Sequence, residues 1–265
     1  MAFDPDTAKG RYKGYVGFIS PPASFDCSPQ QFLDIAASPL GILQHVPLIG
    51  DFEYGDIDDG AADLAAVERG AKALAPCGVE VIAQVGGYWA LSFTPTYEAA
   101  VAQSERLTKI AGIPVILAWQ ATINALRHIG ARRVSIAAGY YRPDWIARSL
   151  ALIEGAGIEI LWCGDLISQG LVADEDTRNK IEERTRWDYP DELVREACVE
   201  AARRAPEADA VLQIGAGMRP ILQAATIEAE TKMPLVSTDI ALSWSILRTL
   251  GGKARADTGQ LLQSL

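Results

Sequence analysis

Apolar residues in this chain come in short unalternated runs, separated by longer stretches in which they recur every three or four positions. Runs at 15–20, 42–48, 81–85 and 113–117 predict four strands, the last ending in Trp119-Gln120. Runs at 134–138, 158–163, 211–214 and near Leu235 predict four more. A run of this length bounded by glycine reads as a fully buried parallel strand. The spacing of Leu64, Val67, Ala71 and Leu74 predicts an amphipathic helix over 61–75, stopped by Pro76-Cys77-Gly78. Further helices are predicted near Pro29, over 96–111, through Ile123, Leu126 and Ile129, from Pro143 with Asp144 in its first turn, from Pro190, from Pro220 and over 240–250.

Two runs are nearly copies. Val81-Ile82-Ala83-Gln84-Val85-Gly86-Gly87-Tyr88 has its counterpart in Val211-Leu212-Gln213-Ile214-Gly215-Ala216-Gly217-Met218, each a Gln-aliphatic-Gly-small turn that closes a strand. The flanks match in the same order, 13–21 with 132–140 and 112–117 with 232–237. Such glycines mark a turn that needs positive φ or a bare backbone beside a ligand. Three matched elements predict two α/β halves of one plan, with a ligand between them where both turns leave the carboxyl ends of their strands.

With 265 residues, 49% of them hydrophobic, the chain can bury one large or two small cores. Its formal net charge of −10 repels nucleic-acid phosphates and anionic lipid, so neither nucleic acid nor membrane is an expected partner. No basic leader with an apolar stretch opens the sequence and no apolar run reaches about 18 residues, which makes the cytoplasm the expected location. Cys27, Cys77, Cys163 and Cys198 lack Cys-x-x-Cys spacing and the only histidines are His45 and His128, a pattern against zinc or a disulfide framework. The cysteines read as packing residues and His128 as a surface or partly packed one.

Three loops bear on a site. The Pro21-Pro22 segment running to Cys27 is either a rigid turn or one wall of the cleft. The acidic stretch at 50–59 reads as mostly solvated, and the charged stretch at 165–189 as an excursion or lid.

Gly17-Phe18-Ile19-Ser20-Pro21-Pro22, Leu91-Ser92-Phe93, Asn124-Ala125-Leu126-Arg127, Gly130-Ala131-Arg132-Arg133-Val134 and Gly251-Gly252-Lys253-Ala254-Arg255-Ala256 occur in order. Taken with the two glycine turns, the Tyr140 loop and Ser237-Thr238-Asp239, they resemble the aspartate/glutamate racemase superfamily, in its arylmalonate decarboxylase and maleate cis-trans isomerase branch. The resemblance implies two pseudosymmetric flavodoxin-like α/β domains, mainly parallel sheets and an active-site cleft between the domains. The expected domains are 1–116 with 235–265, and 117–234. Racemases and isomerases of that family carry a cysteine after each central strand, and the decarboxylase keeps only the second. Those positions fall here on Gly86 and Gly215, so the expected enzyme lacks the family's thiol acid–base pair.

By position Tyr140 matches the family's hydroxyl donor to a substrate carboxylate. The amides of Gly86, Gly87 and Tyr88, and of Gly215, Ala216 and Gly217, each set preceding a helix, are expected to bind that carboxylate. Pro21, Trp119, Gln120 and Thr238 complete the expected substrate-binding set with Arg219, which either pairs with a second carboxylate or faces solvent. Asp239 is the candidate replacement acid or base, because desolvation raises a carboxyl pKa, and its alternative role is to cap the last helix. Tyr88 and Tyr140 are alternative proton donors and Cys27 a relocated thiol. The expected reaction is decarboxylation or another lyase step through an enolate-like intermediate, with isomerisation second, on a small anionic or cyclic substrate and without cofactor or metal. Two other readings stand: hydrolysis of a cyclic amide, imide or lactone with a backbone oxyanion hole, and small-ligand binding without catalysis. A homo-oligomer is left open.

Overall fold

The computed structural model describes residues 10–21, 26–47 and 60–265. The segment 22–25 of the proposed cleft wall and the acidic stretch at 50–59 lie outside them. In the first half, β1 (Tyr15–Ile19), α1 (Ser28–Ile35), β2 (Gly41–His45), α2 (Gly60–Leu74), β3 (Val81–Gln84), the single-turn α3 (Gly87–Ala90), α4 (Tyr97–Ala111), β4 (Val115–Leu117) and α5 (Ala118–His128) follow in order. The second half repeats the scheme with β5 (Arg133–Gly139), α6 (Pro143–Gly155), β6 (Glu159–Asp165), α7 (Glu175–Thr185), α8 (Asp191–Arg204), β7 (Ala210–Gln213), α9 (Ala224–Thr231), β8 (Leu235–Ser237) and α10 (Thr238–Thr249). A short α11 (Gln260–Gln263) ends the chain.

Among the described residues all eight strands are parallel to their neighbours, in two four-stranded sheets ordered β2-β1-β3-β4 and β6-β5-β7-β8. The two-half α/β plan read from the repeat is therefore the observed one. The central strands are buried along nearly their whole length because helices cover both faces, which is why their sequences run apolar rather than alternating.

Local chemistry sets the helix ends. Thr96 caps α4 by accepting from Ala99 N at 3.1 Å, and Gly112 stops it at φ 72°. Ser237 caps α10 by accepting from Ile240 N at 3.0 Å, so the capping role weighed for Asp239 belongs to its neighbour two residues back.

Three expectations need correction. Leu117 pairs with Gln84 and Ser237 pairs with Gln213, so the sheets run to 117 and 237; domain limits at 116 and 235 would cut Leu117 from β4 and all of β8 from its sheet. Trp119 and Gln120 are not a strand end but the first turn of α5, which starts directly after β4. The second glycine turn does not lead straight into an α-helix: a 3-10 turn at Pro220–Gln223 intervenes before α9. The stretch at 165–189, expected as an excursion or lid, contains α7, whose N-terminus is capped by Asp174 accepting from Thr177 N at 2.8 Å.

Candidate active site

In a sheet ordered 2-1-3-4 the loops after the two central strands leave in different directions and open a crevice at their carboxyl ends. Here those loops carry Pro21 and Val85 to Tyr88 in the first half, and Tyr140 to Arg142 and Ile214 to Arg219 in the second.

Each crevice is built on a buried glutamine at a strand end. Gln84 donates through Nε2 to the carbonyl of Val85 and, at 3.3 Å, to that of Gly86. Gln213 does the same to the carbonyl of Ile214 and, at 3.1 Å, to that of Gly215. In a planar trans peptide the N–H points opposite to the C=O. Holding these carbonyls toward the glutamines therefore aims the amides of Gly86 and Gly87, and of Gly215 and Ala216, the other way. Both glycines pay for this with left-handed backbone, φ 89° at Gly86 and 99° at Gly215. Successive amides so directed form an anion-binding concavity.

The halves meet over these turns. A Cβ on Gly87 would lie 3.5 Å from Thr238 Cγ2 and 3.5 Å from the Tyr141 hydroxyl, while one on Gly215 would lie 3.1 Å from the rings of Tyr140 and Tyr141. Tyr141 thus reaches both turns. Trp119 Nε1 donates to Gly87 O at 2.7 Å, and Gly217 N donates to the Tyr140 hydroxyl at 3.4 Å. Aromatic rings wall the space: Tyr88 stacks on Trp145 at 3.9 Å, Tyr140 stacks on Tyr189 at 5.3 Å, and Trp187 meets Tyr140 edge-on.

Beside this wall lies a buried polar group. Ser28 donates its hydroxyl to Asp239 Oδ1 at 3.0 Å and its N–H to Asp26 Oδ1 at 2.8 Å, while Asp239 Oδ2 has no partner among the described residues. Burial, then the nearby Asp26 carboxylate, pushes Asp239 from its ordinary 3.8 up to about 7. Arg219 is buried, pairs with Asp188 and donates to Trp187 O at 3.1 Å.

The sequence model of the family described as arylmalonate decarboxylase matches residues 57–262. The chain belongs to the arylmalonate decarboxylase family. It is 26% identical over 189 residues to an arylmalonate decarboxylase of Bordetella bronchiseptica, covering 71% of this chain and 72% of that one. Its fold is similar to unliganded arylmalonate decarboxylase, with a TM-score of 0.75 and 23% identity over 96% of this chain and 100% of the other. A Nocardia farcinica maleate cis-trans isomerase with a covalently bound succinylcysteine superposes with a TM-score of 0.75 and 19% identity over 95% and 99%. The maleate isomerase of Pseudomonas putida S16 gives 0.72 and 20% over 94% and 98%.

Within the arylmalonate decarboxylase fold, the structure gathers Pro21, Gly86, Gly87, Tyr88, Trp119, Tyr140, Gly215, Ala216, Gly217 and Thr238 around the crevice, with Asp239 and Arg219 at its polar side. Gln120 goes elsewhere, lining a groove with Asn124, His128, Trp244 and Arg248. Arg219 is buried rather than solvent-facing, and its two terminal nitrogens go to Asp188 and to Trp187 O, while its Nε has no partner among the described residues. Cys27 is half-buried in the polar group and its thiol is pushed up to about 11, chiefly by burial, which keeps it protonated at neutral pH. Sequence reasoning gave no role to Tyr141 or Ser28, and it placed Asp26 and the segment from Trp187 to Tyr189 only within a candidate cleft wall and a candidate lid. It also treated Gln84 and Gln213 as markers of a repeat, although a polar residue closing two buried strands was a signal of their role. Among the described residues no group of three or more His, Cys, Asp or Glu is placed to hold a metal ion, and no helix is long and apolar enough to cross a membrane.

Proposed function

We propose that the protein is a cofactor-independent enzyme on a small carboxylate, a decarboxylase first and an isomerase second, that uses Asp239 where thiol-dependent relatives use cysteine. The observation that carries this reading is the buried Asp239 carboxyl, with one bare oxygen, beside two turns whose amides are aimed away from Gln84 and Gln213. The amides and the Tyr140 hydroxyl hold the retained carboxylate and take up charge as it becomes an enediolate. The C–C bond to the departing carboxylate breaks, carbon dioxide leaves, and the electron pair passes into the enolate. Asp239 then gives its proton to the carbon and is reprotonated from solvent, a role suited to an acid that titrates near neutrality.

The test is turnover on a panel of malonate-type and dicarboxylate substrates. Asp239→Asn lowers kcat by about 10²- to 10⁴-fold, as expected for loss of a general acid. Alkylation of all accessible cysteines leaves activity intact. Inactivation that substrate prevents, with label on Cys27 or Cys163, would assign the proton to a thiol instead.

A further inference from the structure

Asp26 precedes α1 and Asp239 sits in the first turn of α10, yet both are buried, at 6% and 5% exposure, and both are bound by Ser28. The serine meets them differently. Its backbone N–H goes to Asp26 Oδ1 at 2.8 Å, while its hydroxyl goes to Oδ1 of Asp239 at 3.0 Å. Asp239 Oδ2 is left without a hydrogen-bond partner among the described residues. Two negative charges this close and this dry are costly, so one carboxyl takes a proton, and the bare oxygen is where it fits.

We propose that Asp26 is a positioning residue: its charge, held beside Asp239 by Ser28, keeps the proton on Asp239 Oδ2 until the enolate carbon takes it. The inference rests on the reading of Asp239 as proton donor. In that step the O–H bond at Oδ2 breaks as the C–H bond forms, and the electron pair stays on the carboxylate. The neighbours do not undo the arrangement. Arg219, which lowers the proton affinity of Asp239, is itself paired with Asp188, and the Cys27 thiol stays protonated. Of the elements packed on α10, β3, β4, β8 and α11 carry no titratable side chain. α5 carries only Arg127 and His128, at its far end, where they line a groove with Arg248 from the last turn of α10.

The experiment reads proton binding directly, by NMR titration of the full-length protein with ¹³C-labelled aspartate carboxyls. One carboxyl titrates near pH 7 and is missing in Asp239→Asn. In Asp26→Asn its midpoint falls by about one unit, a tenfold rise in acid dissociation. In Ser28→Ala the midpoint rises, because a hydrogen bond to the ionised form is lost. An unchanged midpoint in Asp26→Asn, or a fall in Ser28→Ala, overturns the proposal; if Asp26→Asn does not fold, Asp26→Ser, which also removes the charge, is titrated in its place, and an unchanged midpoint there overturns it. Where a substrate is turned over, the alkaline limb of kcat/KM moves to lower pH in Asp26→Asn together with the midpoint. A shifted midpoint without turnover of any carboxylate supports the coupling and counts against the proposed reaction.

Discussion

At the first turn the Gln84 amide is satisfied at both ends, because its Oε1 accepts from Ala118 N at 3.4 Å while Nε2 serves the turn. At the second turn Gln213 makes the same Nε2 bonds, but its Oε1 has no partner among the described residues. The first turn continues directly into α3, whereas the second passes through Arg219, left-handed at φ 38°, before its 3-10 turn. The register aligns Leu117 with Ser237, so Trp119 and Asp239 occupy matching places at the starts of α5 and α10. One is an indole bonded to the turn, and the other is a desolvated acid. The difference teaches that the strand-to-turn joint is the shared platform, while each half supplies its own chemistry from the helix that follows and the loop that covers it.

The largest contrast lies in response to pH. Asp239 titrates near 7 in the fold against an ordinary 3.8, so its contribution to stability is full below about pH 4 and is lost as pH rises through 7. The loss amounts to roughly 4 kcal/mol. Urea unfolding of Asp239→Asn between pH 4 and 8 therefore gives a flatter stability profile than the parent, and an equally steep one would contradict the burial argument. At the first turn, Gly86→Ala costs about 3 kcal/mol, because the new Cβ overlaps Pro21 Cγ and the residue keeps φ 89°. Tyr140→Phe removes the hydroxyl bonded to Gly217 N, and kcat/KM falls about 10- to 150-fold. Replacing Gln84 with leucine should cost about 1–3 kcal/mol more than the same change at Gln213, since only the former strands an extra amide, that of Ala118. The smallest effect separates two glycines: Gly87→Ala stays within about 0.5 kcal/mol. Gly217→Ala is worse, because its Cβ would lie 2.5 Å from Trp187 O, whereas the nearest atom at Gly87 is 3.5 Å away. Equal melting temperatures for that pair would mean that the segment from Trp187 to Tyr189 does not press on the second turn.

The fold was legible because buried parallel strands announce themselves as apolar runs, and a repeated Gln-aliphatic-Gly turn pointed to a ligand between the two halves. Contacts between distant segments were not. Nothing local ties Ser28 to Asp239, and the pairing of Arg219 with Asp188 depends on a chain excursion that reads only as charge and loop. Asp239 stayed open between acid or base and cap of α10 because Ser237 and Asp239 are both good capping residues, and only the strand's end decides which one stands at the boundary. The limits at 116 and 235 fall inside β4 and ahead of β8, because which sheet a strand joins is set by long-range pairing and not by the strand's own residues.

The two central helices carry a mechanical consequence. α5 follows the first sheet but also packs against β8 of the second, and α10 follows the second sheet yet packs against β3 and β4 of the first as well as against α5. Each half therefore holds a strut rooted in the other, and a hinge-like parting of the halves would have to tear both struts from a buried face. Heat or urea should accordingly melt the molecule in one cooperative transition rather than half by half, and small molecules should enter by yielding of surface segments such as that around Trp187, with the two sheets standing still.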